Sequence, residues 1–170
     1  MKKTILGICT LLLVVLCACA QQKKTTKKTK GTTTTAKTNI TAIEMTRGAC
    51  FGKCPEYTLR IAADGNAIYT GRANAPYQGV YTKKLDAAKV VDLFKEYERY
   101  RVDTCSEKYR YMPDIPGLEY VIYYQTKEQI IKNANTPFAP KFLNGLSVKM
   151  DQLANVDNSW KRTGDVPSNK

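Results

Sequence analysis

Apolar and polar residues alternate along much of the chain between residues 39 and 133, which predicts β-strands. In the stretch EYTLRIA, Tyr57, Leu59 and Ile61 fall on one face. Thr58 and Arg60 fall on the other face. Five further extended stretches are predicted: NITAIEMTRG, AIYTGR, YQGVYTKKL, LEYVIYYQ and EQIIKN.

Short turns between neighbouring stretches predict antiparallel hairpins. Asp64-Gly65 lies between EYTLRIA and AIYTGR, and this dipeptide supplies the positive φ angles that a tight turn requires. A second turn is predicted near Thr126-Lys127. Each of these two turns should therefore join a pair of antiparallel strands.

Two other segments have the 3.6-residue period of amphipathic helices. The first should begin after Asp86, a good N-cap residue, and run through AAKVVDLFKEYERY. Its apolar stripe consists of Val90, Leu93, Phe94 and Tyr97. The second should open at Thr136-Pro137, with Thr136 as the cap and Pro137 at the first helical position. Its stripe consists of Phe142, Leu143, Leu146, Met150 and Leu153.

This order of elements predicts an α+β fold over residues 40–162. We expect one small domain, an antiparallel sheet of hairpins with the two amphipathic helices packed on one face. Residues 103–117 have neither period and form a long loop. Trp160 should close the core, and residues 163–170 should form a flexible tail.

The N-terminal residues have the pattern of an export signal. Lys2 and Lys3 precede the apolar run TILGICTLLLVVLCAC, which is too short for a comfortable transmembrane helix. Leu16-Cys17-Ala18-Cys19 resembles a bacterial lipobox, so we predict a lipoprotein signal peptide over residues 1–18 and lipidation of Cys19. Ordinary cleavage after Ala20 is the alternative, and it would release a soluble protein.

Residues 19–39 are predicted to form a tether between this anchor and the domain. Residues 20–39 contain no aromatic and no large aliphatic residue, so they cannot bury enough apolar surface to offset the entropy of ordering. Eight of the 27 Lys and Arg residues precede residue 40, whereas all 15 acidic residues follow it. A nucleic-acid binder carries its basic excess on the folded surface, so we expect a membrane partner and no nucleic acid.

Three cysteines remain beyond the anchor, Cys50, Cys54 and Cys105. Zinc usually takes Cys or His ligands, and the chain has no histidine and, beyond the anchor, no second cysteine pair, so we expect no metal. Thiol oxidoreductases favour C-x-x-C at a helix N-terminus. Here the spacing is one residue longer, and a strand pattern follows.

A structural disulfide is the third interpretation. Gly52 can adopt the left-handed conformation, which would let the segment turn back so that Cys50 meets Cys54. Such a short loop contributes about 2 kcal/mol, whereas a bridge from either cysteine to Cys105 would contribute about 4 kcal/mol. Proximity favours the first pairing and stabilisation the second. We favour Cys50–Cys54, with Cys105 left over.

The segment CFGKCPEYTLRIAADGNAIYTG resembles the signature of an uncharacterised family of bacterial envelope proteins, commonly lipoproteins, that is catalogued as a domain of unknown function. The family pattern is C-x-G-x-C-P-x-Y, an alternating strand, D-G, and a strand that ends in Y-x-G. It falls here on Cys50, Gly52, Cys54, Pro55, Tyr57, Asp64, Gly65, Tyr69 and Gly71. The resemblance implies a compact envelope domain with no known reaction or cofactor, so we expect no cofactor and the function stays open.

Two functions are compatible with these patterns. The first is a non-catalytic binding or scaffold domain, anchored by lipid in the bacterial envelope and facing the periplasm from the outer membrane. Its partner would be an unknown envelope protein or glycan. The absence of histidine removes the commonest general base. The alternative is a thiol-redox enzyme or redox sensor that uses Cys50 and Cys54.

Overall fold

The computed structural model describes residues 37–167 of the chain. The predicted signal peptide, Cys19 and most of the predicted tether lie outside the described residues, as do residues 168–170 of the predicted tail. The last tether residues belong to the domain, because Thr38 Oγ1 and the Asn39 N–H both donate to Glu98 Oε1, at 2.9 and 2.7 Å.

The described residues form one antiparallel sheet and two α-helices, which confirms the predicted α+β fold. The strand order in the sheet is β6-β5-β1-β2-β3-β4-β7. The elements are β1 (Ile40–Arg47), β2 (Tyr57–Ala62), β3 (Asn66–Gly71), β4 (Gly79–Lys84), α1 (Ala87–Arg99), a 3₁₀ turn (Val102–Thr104), β5 (Leu118–Tyr124), β6 (Glu128–Ile131), α2 (Lys141–Ala154) and β7 (Lys161–Gly164).

The core lies between one face of the sheet and the two helices. Ile43 and Met45 of the central strand β1 are 0% exposed, and they are paired with apolar residues of β2 and β5. The predicted stripe of α1 is buried in the same cluster. Leu143, Leu146 and Met150 of α2 are also buried there, and the rest of its predicted stripe is partly buried. Hydrophobic burial on this one face therefore holds the layers together.

The opposite face of the sheet carries mainly polar side chains that remain partly exposed. Arg60 lies 3.8 Å from Glu44 on the neighbouring strand, and its guanidinium lies 4.4 Å from the centre of the Tyr123 ring. Such a face is typical of an antiparallel sheet with one buried side and one solvated side.

The predicted tight turn between β2 and β3 is present, but only Gly65 takes a positive φ, of 91°. Asp64 contributes differently, because its Oδ1 accepts the N–H of Asn66 at 2.9 Å. A Cβ on Gly65 would lie 2.4 Å from the Leu85 carbonyl oxygen, so the turn also requires glycine for this close approach.

The predicted start of the second helix at Thr136-Pro137 is wrong, because α2 begins at Lys141. Thr136 Oγ1 donates to the Asn133 carbonyl at 3.2 Å, and the Ala139 N–H donates back to the Thr136 carbonyl. These contacts form turns rather than a helical cap. The reason is Pro140, which disfavours the helical conformation at the residue before it and places the helix start after itself.

The final strand, β7, was not predicted from the sequence. The sequence predicts a flexible tail at Thr163 and Gly164, whereas the structure pairs β7 antiparallel with β4. The strand has no apolar alternation, so its backbone pairing with β4 determines its conformation. Trp160 precedes it, is 4% exposed, and donates from its indole N–H to the Ala154 carbonyl at 3.2 Å. The predicted role of Trp160 in closing the core is confirmed.

Two glycine substitutions should have opposite effects on stability. A Cβ on Gly71 would lie 1.8 Å from the Tyr77 carbonyl oxygen, so Gly71→Ala should lower the free energy of unfolding by about 3 kcal/mol. Gly145 in α2 has nothing within 4 Å of the added Cβ, so Gly145→Ala should raise it by about 1 kcal/mol. Urea unfolding monitored by circular dichroism measures both, and a neutral Gly71→Ala would contradict the packing described.

Candidate functional site

A disulfide closes the connection between β1 and β2, which we call the disulfide turn (residues 48–56). Cys50 is bonded to Cys54, with the two Cα atoms 5.7 Å apart, so the favoured pairing is confirmed. Both cysteines are half-buried. The Gly52 N–H donates to Cys50 Sγ at 3.3 Å. Contrary to expectation, Gly52 lies outside the left-handed region. The five-residue loop from Cys50 to Cys54 therefore closes without a positive φ at this glycine.

Main-chain hydrogen bonds hold the disulfide turn on both sides. The Gly48 N–H donates to the Gly117 carbonyl at 2.8 Å, at the end of the long loop before β5. On the other side, the Glu56 N–H donates to the Ala73 carbonyl and the Arg72 N–H donates to the Glu56 carbonyl. These bonds tie the base of the turn to two neighbouring loops and fix its orientation.

The tip of the disulfide turn is open to solvent. Phe51 is 83% exposed, and Gly52, Lys53 and Pro55 are exposed as well. Sequence reasoning considered the two cysteines and missed Phe51. The signal that was available is a large aromatic residue inside a cysteine-closed turn, since turns are normally built from small or polar residues.

Tyr57 ends the C-x-G-x-C-P-x-Y part of the motif and points to the helix face. It joins an ion pair in what we call the Arg47 cluster (Arg47, Tyr57, Ser147 and Asp151). Arg47 Nη2 donates to Asp151 Oδ2 at 2.7 Å and to Ser147 Oγ at 3.0 Å. Arg47 Nε donates to the Tyr57 hydroxyl at 2.8 Å. The Tyr57 hydroxyl donates to Asp151 Oδ1 at 2.6 Å. The cluster thus ties α2 to β1 and β2.

The environment of the cluster favours the protonated tyrosine and the charged arginine. Burial raises the pKa of the Tyr57 hydroxyl well above its usual value, and the hydrogen bond to Asp151 raises it further. Burial is the largest single effect and lowers the pKa of Arg47, but the charges and hydrogen bonds of Asp151 and Tyr57 together outweigh it, so the net direction is upward. Burial, with the charge of Asp151, also raises the pKa of Tyr69 to about 12.

Sequence reasoning missed Arg47 and Asp151, and only the position of Arg47 carried a signal. Arg47 continues the buried alternation of Ile43 and Met45, whereas Asp151 lies outside the apolar stripe of α2. A charged residue at a position where the period predicts an apolar residue indicates a partner. The identity of that partner could not be predicted, because the two residues are separated by 104 positions.

Cys105 is not part of this site. It follows the 3₁₀ turn and keeps a free, partly exposed thiol. Its carbonyl oxygen accepts from Gln129 Nε2 at 3.3 Å, which places it beside β6. Burial raises the pKa of the Cys105 thiol, whereas a hydrogen bond with Tyr109 acts in the opposite direction. These conditions give a poorly activated thiol.

Within residues 37–167, no group of three or more His, Cys, Asp and Glu side chains is arranged to hold a metal ion. In the same residues, no helix is long and apolar enough to cross a membrane.

Comparison with protein families identifies the family of this chain. The model of the domain of unknown function DUF6438 matches residues 41–154. The chain belongs to the DUF6438 family. The match covers the disulfide turn, the Arg47 cluster and both helices of this DUF6438 domain, and it ends at the last residue of α2. No curated protein and no solved structure was found to match the chain.

Removing the charge of Asp151 should destabilise the DUF6438 domain. Asp151→Asn leaves the half-buried Arg47 guanidinium without its anion, so the free energy of unfolding should fall by about 2 kcal/mol. The matched control is Asp165→Asn, which removes the exposed ion pair between Arg162 and Asp165 and should change nothing measurable. Chemical unfolding measures both. Equal effects of the two substitutions would contradict a structural role for the cluster.

Proposed function

We propose that this chain is a lipid-anchored, non-catalytic binding domain of the bacterial envelope. The observation that carries the proposal is the Cys50–Cys54 disulfide across an exposed turn. Disulfides persist in oxidising compartments and are rare where thiols are kept reduced. Together with the basic and apolar N-terminal residues, this favours an exported protein.

The anchor is proposed from the lipobox-like Leu16–Cys19 segment. The thioether-linked lipid at Cys19 would hold the chain in the membrane, most simply on the periplasmic side of the outer membrane. The domain would then follow the tether from Thr38 onward, where its first hydrogen bonds occur. Its partner would be another envelope protein or a glycan.

The Arg47 cluster supports a non-catalytic role. Its carboxylate, guanidinium and hydroxyl groups are hydrogen-bonded to one another, and they join α2 to the sheet. A general base must reach the proton that it removes, and a carboxylate that is already occupied by an arginine and a tyrosine is poorly suited to that task. The cluster therefore acts as a structural link beneath the turn.

Replacing Cys19 tests the anchor. In wild-type cells, mass spectrometry of the mature protein should find an acylated N-terminal Cys19 and the protein in the membrane fraction. Cys19→Ser should abolish acylation and shift the protein out of that fraction, whereas Cys105→Ser, a control at a thiol of the folded domain, should not. A mature wild-type chain that starts after Ala20 and carries no lipid would contradict the proposal.

A second candidate function is thiol redox, as an enzyme or a sensor. Two observations favour it: the disulfide is half-exposed, and Cys50 Sγ accepts the Gly52 N–H, which would stabilise a thiolate after reduction. In such a reaction, a dithiol partner would pass two electrons and two protons to Cys50 and Cys54. The partner would leave as a disulfide, and the domain would hold two thiols.

The reduction potential of the Cys50–Cys54 pair separates the two functions. A structural disulfide should have a potential below about −300 mV, and Cys50→Ser with Cys54→Ser should lower the free energy of unfolding by about 2 kcal/mol. Equilibration of the full chain in dithiothreitol mixtures, followed by alkylation and mass spectrometry, measures the potential. Cys105 is already a free thiol, so its alkylation in every mixture is the internal reference for complete labelling. A readily reversible potential well above this value would support the redox function instead.

A further inference from the structure

A cavity of about 520 Å³ lies where β3 and β4 meet the start of β7, and we call it the lysine cavity (residues 66–68, 82–84, 159 and 161). Lys83, Lys84 and Lys161 border it, and none of its bordering residues in the described chain is acidic. We propose that the lysine cavity binds the phosphate group of an anionic membrane lipid. This inference rests on the proposed function, because the proposed anchor is what brings a lipid surface to the domain.

The fold brings the three lysines together from two distant segments of the chain. Lys83 and Lys84 end β4, and Thr82 pairs with Lys161 at the start of β7. Trp160, directly before Lys161, is 4% exposed and therefore fixes the point at which β7 begins. Like charges that are gathered around one cavity repel each other. An anion bound between them relieves that repulsion.

The nearest carboxylates leave the ammonium groups free to bind an anion. Lys84 Nζ lies 3.7 Å from Asp64 Oδ2, and Lys83 Nζ lies 3.8 Å from Asp157 Oδ1. Both distances are longer than a charge-assisted hydrogen bond, which is about 2.7–2.9 Å. In the described part of the chain, Lys161 has no carboxylate within 4.0 Å. Exposed ion pairs of this kind are weak, so a phosphate can replace them at little cost.

The wall of the lysine cavity favours a phosphate ester over a bare ion. Ile68 of β3 borders the cavity and is 43% exposed, and the buried Ala67 lies beside it. The methylene stems of lysine side chains are apolar as well. A site that combines apolar walls with cationic groups suits a phosphate that is esterified to glycerol, as in a phospholipid.

The lysine cavity lies at the end of the sheet where the chain enters from the proposed tether. Near the start of β1, the Thr41 carbonyl accepts the N–H of Ala63, which follows β2, at 2.8 Å. Asn66 then opens β3 and pairs with Lys84. The disulfide turn follows the opposite end of β1. The lysine cavity is therefore at the end of the domain that is nearest the proposed anchor.

Anchoring decides between a lipid and the other anionic partners, which are an acidic protein and an acidic glycan. A tethered domain meets its own membrane at an effective concentration on the order of millimolar, so a weak site is sufficient. The potential of an anionic lipid surface also attracts nearby lysines. A free protein or glycan receives no such gain from this chain, and three exposed lysines alone would bind it weakly.

Trp160, the one tryptophan of the chain, reports on the lysine cavity, because Lys83 Nζ lies 5.9 Å from the centre of its ring. The full-length lipoprotein is reconstituted into phosphatidylethanolamine vesicles with or without phosphatidylglycerol, and both carry nitroxide-labelled head groups. Quenching of Trp160 should be stronger with phosphatidylglycerol, and high salt should remove the difference. Equal quenching in the two kinds of vesicle would overturn the proposal.

Neutral substitutions separate the lysine cavity from the general charge of the domain. Lys84→Gln with Lys161→Gln should abolish the extra quenching by phosphatidylglycerol. The matched control, Lys53→Gln with Lys141→Gln, removes the same charge outside the cavity and should retain it. Both double variants should keep the wild-type melting temperature, because all four side chains are exposed. An equal loss in the two variants would assign the effect to net charge and overturn the proposal.

Soluble probes distinguish a lipid head group from free phosphate, and they do not depend on the anchor. In calorimetric titrations of the full-length chain, glycerol 3-phosphate should bind more tightly than inorganic phosphate. Lys84→Gln with Lys161→Gln should raise its Kd about tenfold. Absence of binding, or a preference for inorganic phosphate, would overturn the inference even if Cys19 proves to be acylated. Binding as expected would support the phosphate site even if Cys19 carries no lipid and the proposed anchoring fails.

Discussion

The pairing of β1 on both of its edges is the constraint on which the rest of the domain depends. β1 lies between β2, which follows it in sequence, and β5, which arrives only after α1 and the long loop. Without the β5 pairing, the β5–β6 hairpin would be separated from the other strands, and Ile43 and Met45 would each lose one of their two cross-strand partners. The two helices can cover a continuous apolar face only because β1 joins the two halves of the sheet.

The same strand positions the candidate site. Arg47 is the last residue of β1 and is paired directly with Tyr57, the first residue of β2. The Arg47 cluster therefore lies at the base of the disulfide turn, on the helix side. One covalent bond closes the turn and one ion pair fixes the strands from which it rises, so the exposed tip is supported from both sides. A turn built in this way keeps its shape without further support.

Much of this architecture could be predicted from the sequence, because the relevant signals are local. The alternation in β2 and β5 and the stripe of α1 show directly which side chains are buried. The start of α2 could not be placed correctly, since Thr136 and Pro137 imitate a helix start and only Pro140 excludes it. β7 could not be predicted at all, because β4 and not its own sequence makes it a strand. The contact between Arg47 and Asp151 is likewise a product of the tertiary fold.

The composition of the two edge strands has a consequence for the protein in a crowded environment. Both β6 and β7 have only four residues, and β7 carries the exposed Lys161 and Arg162. Beyond the end of β6, Lys132 forms a bridge with Lys108 of the long loop, which occupies part of that edge. Unpaired edge strands are templates for aggregation, and short length and positive charge oppose such pairing. These features of the two edges therefore oppose the joining of sheets from different molecules into fibrils.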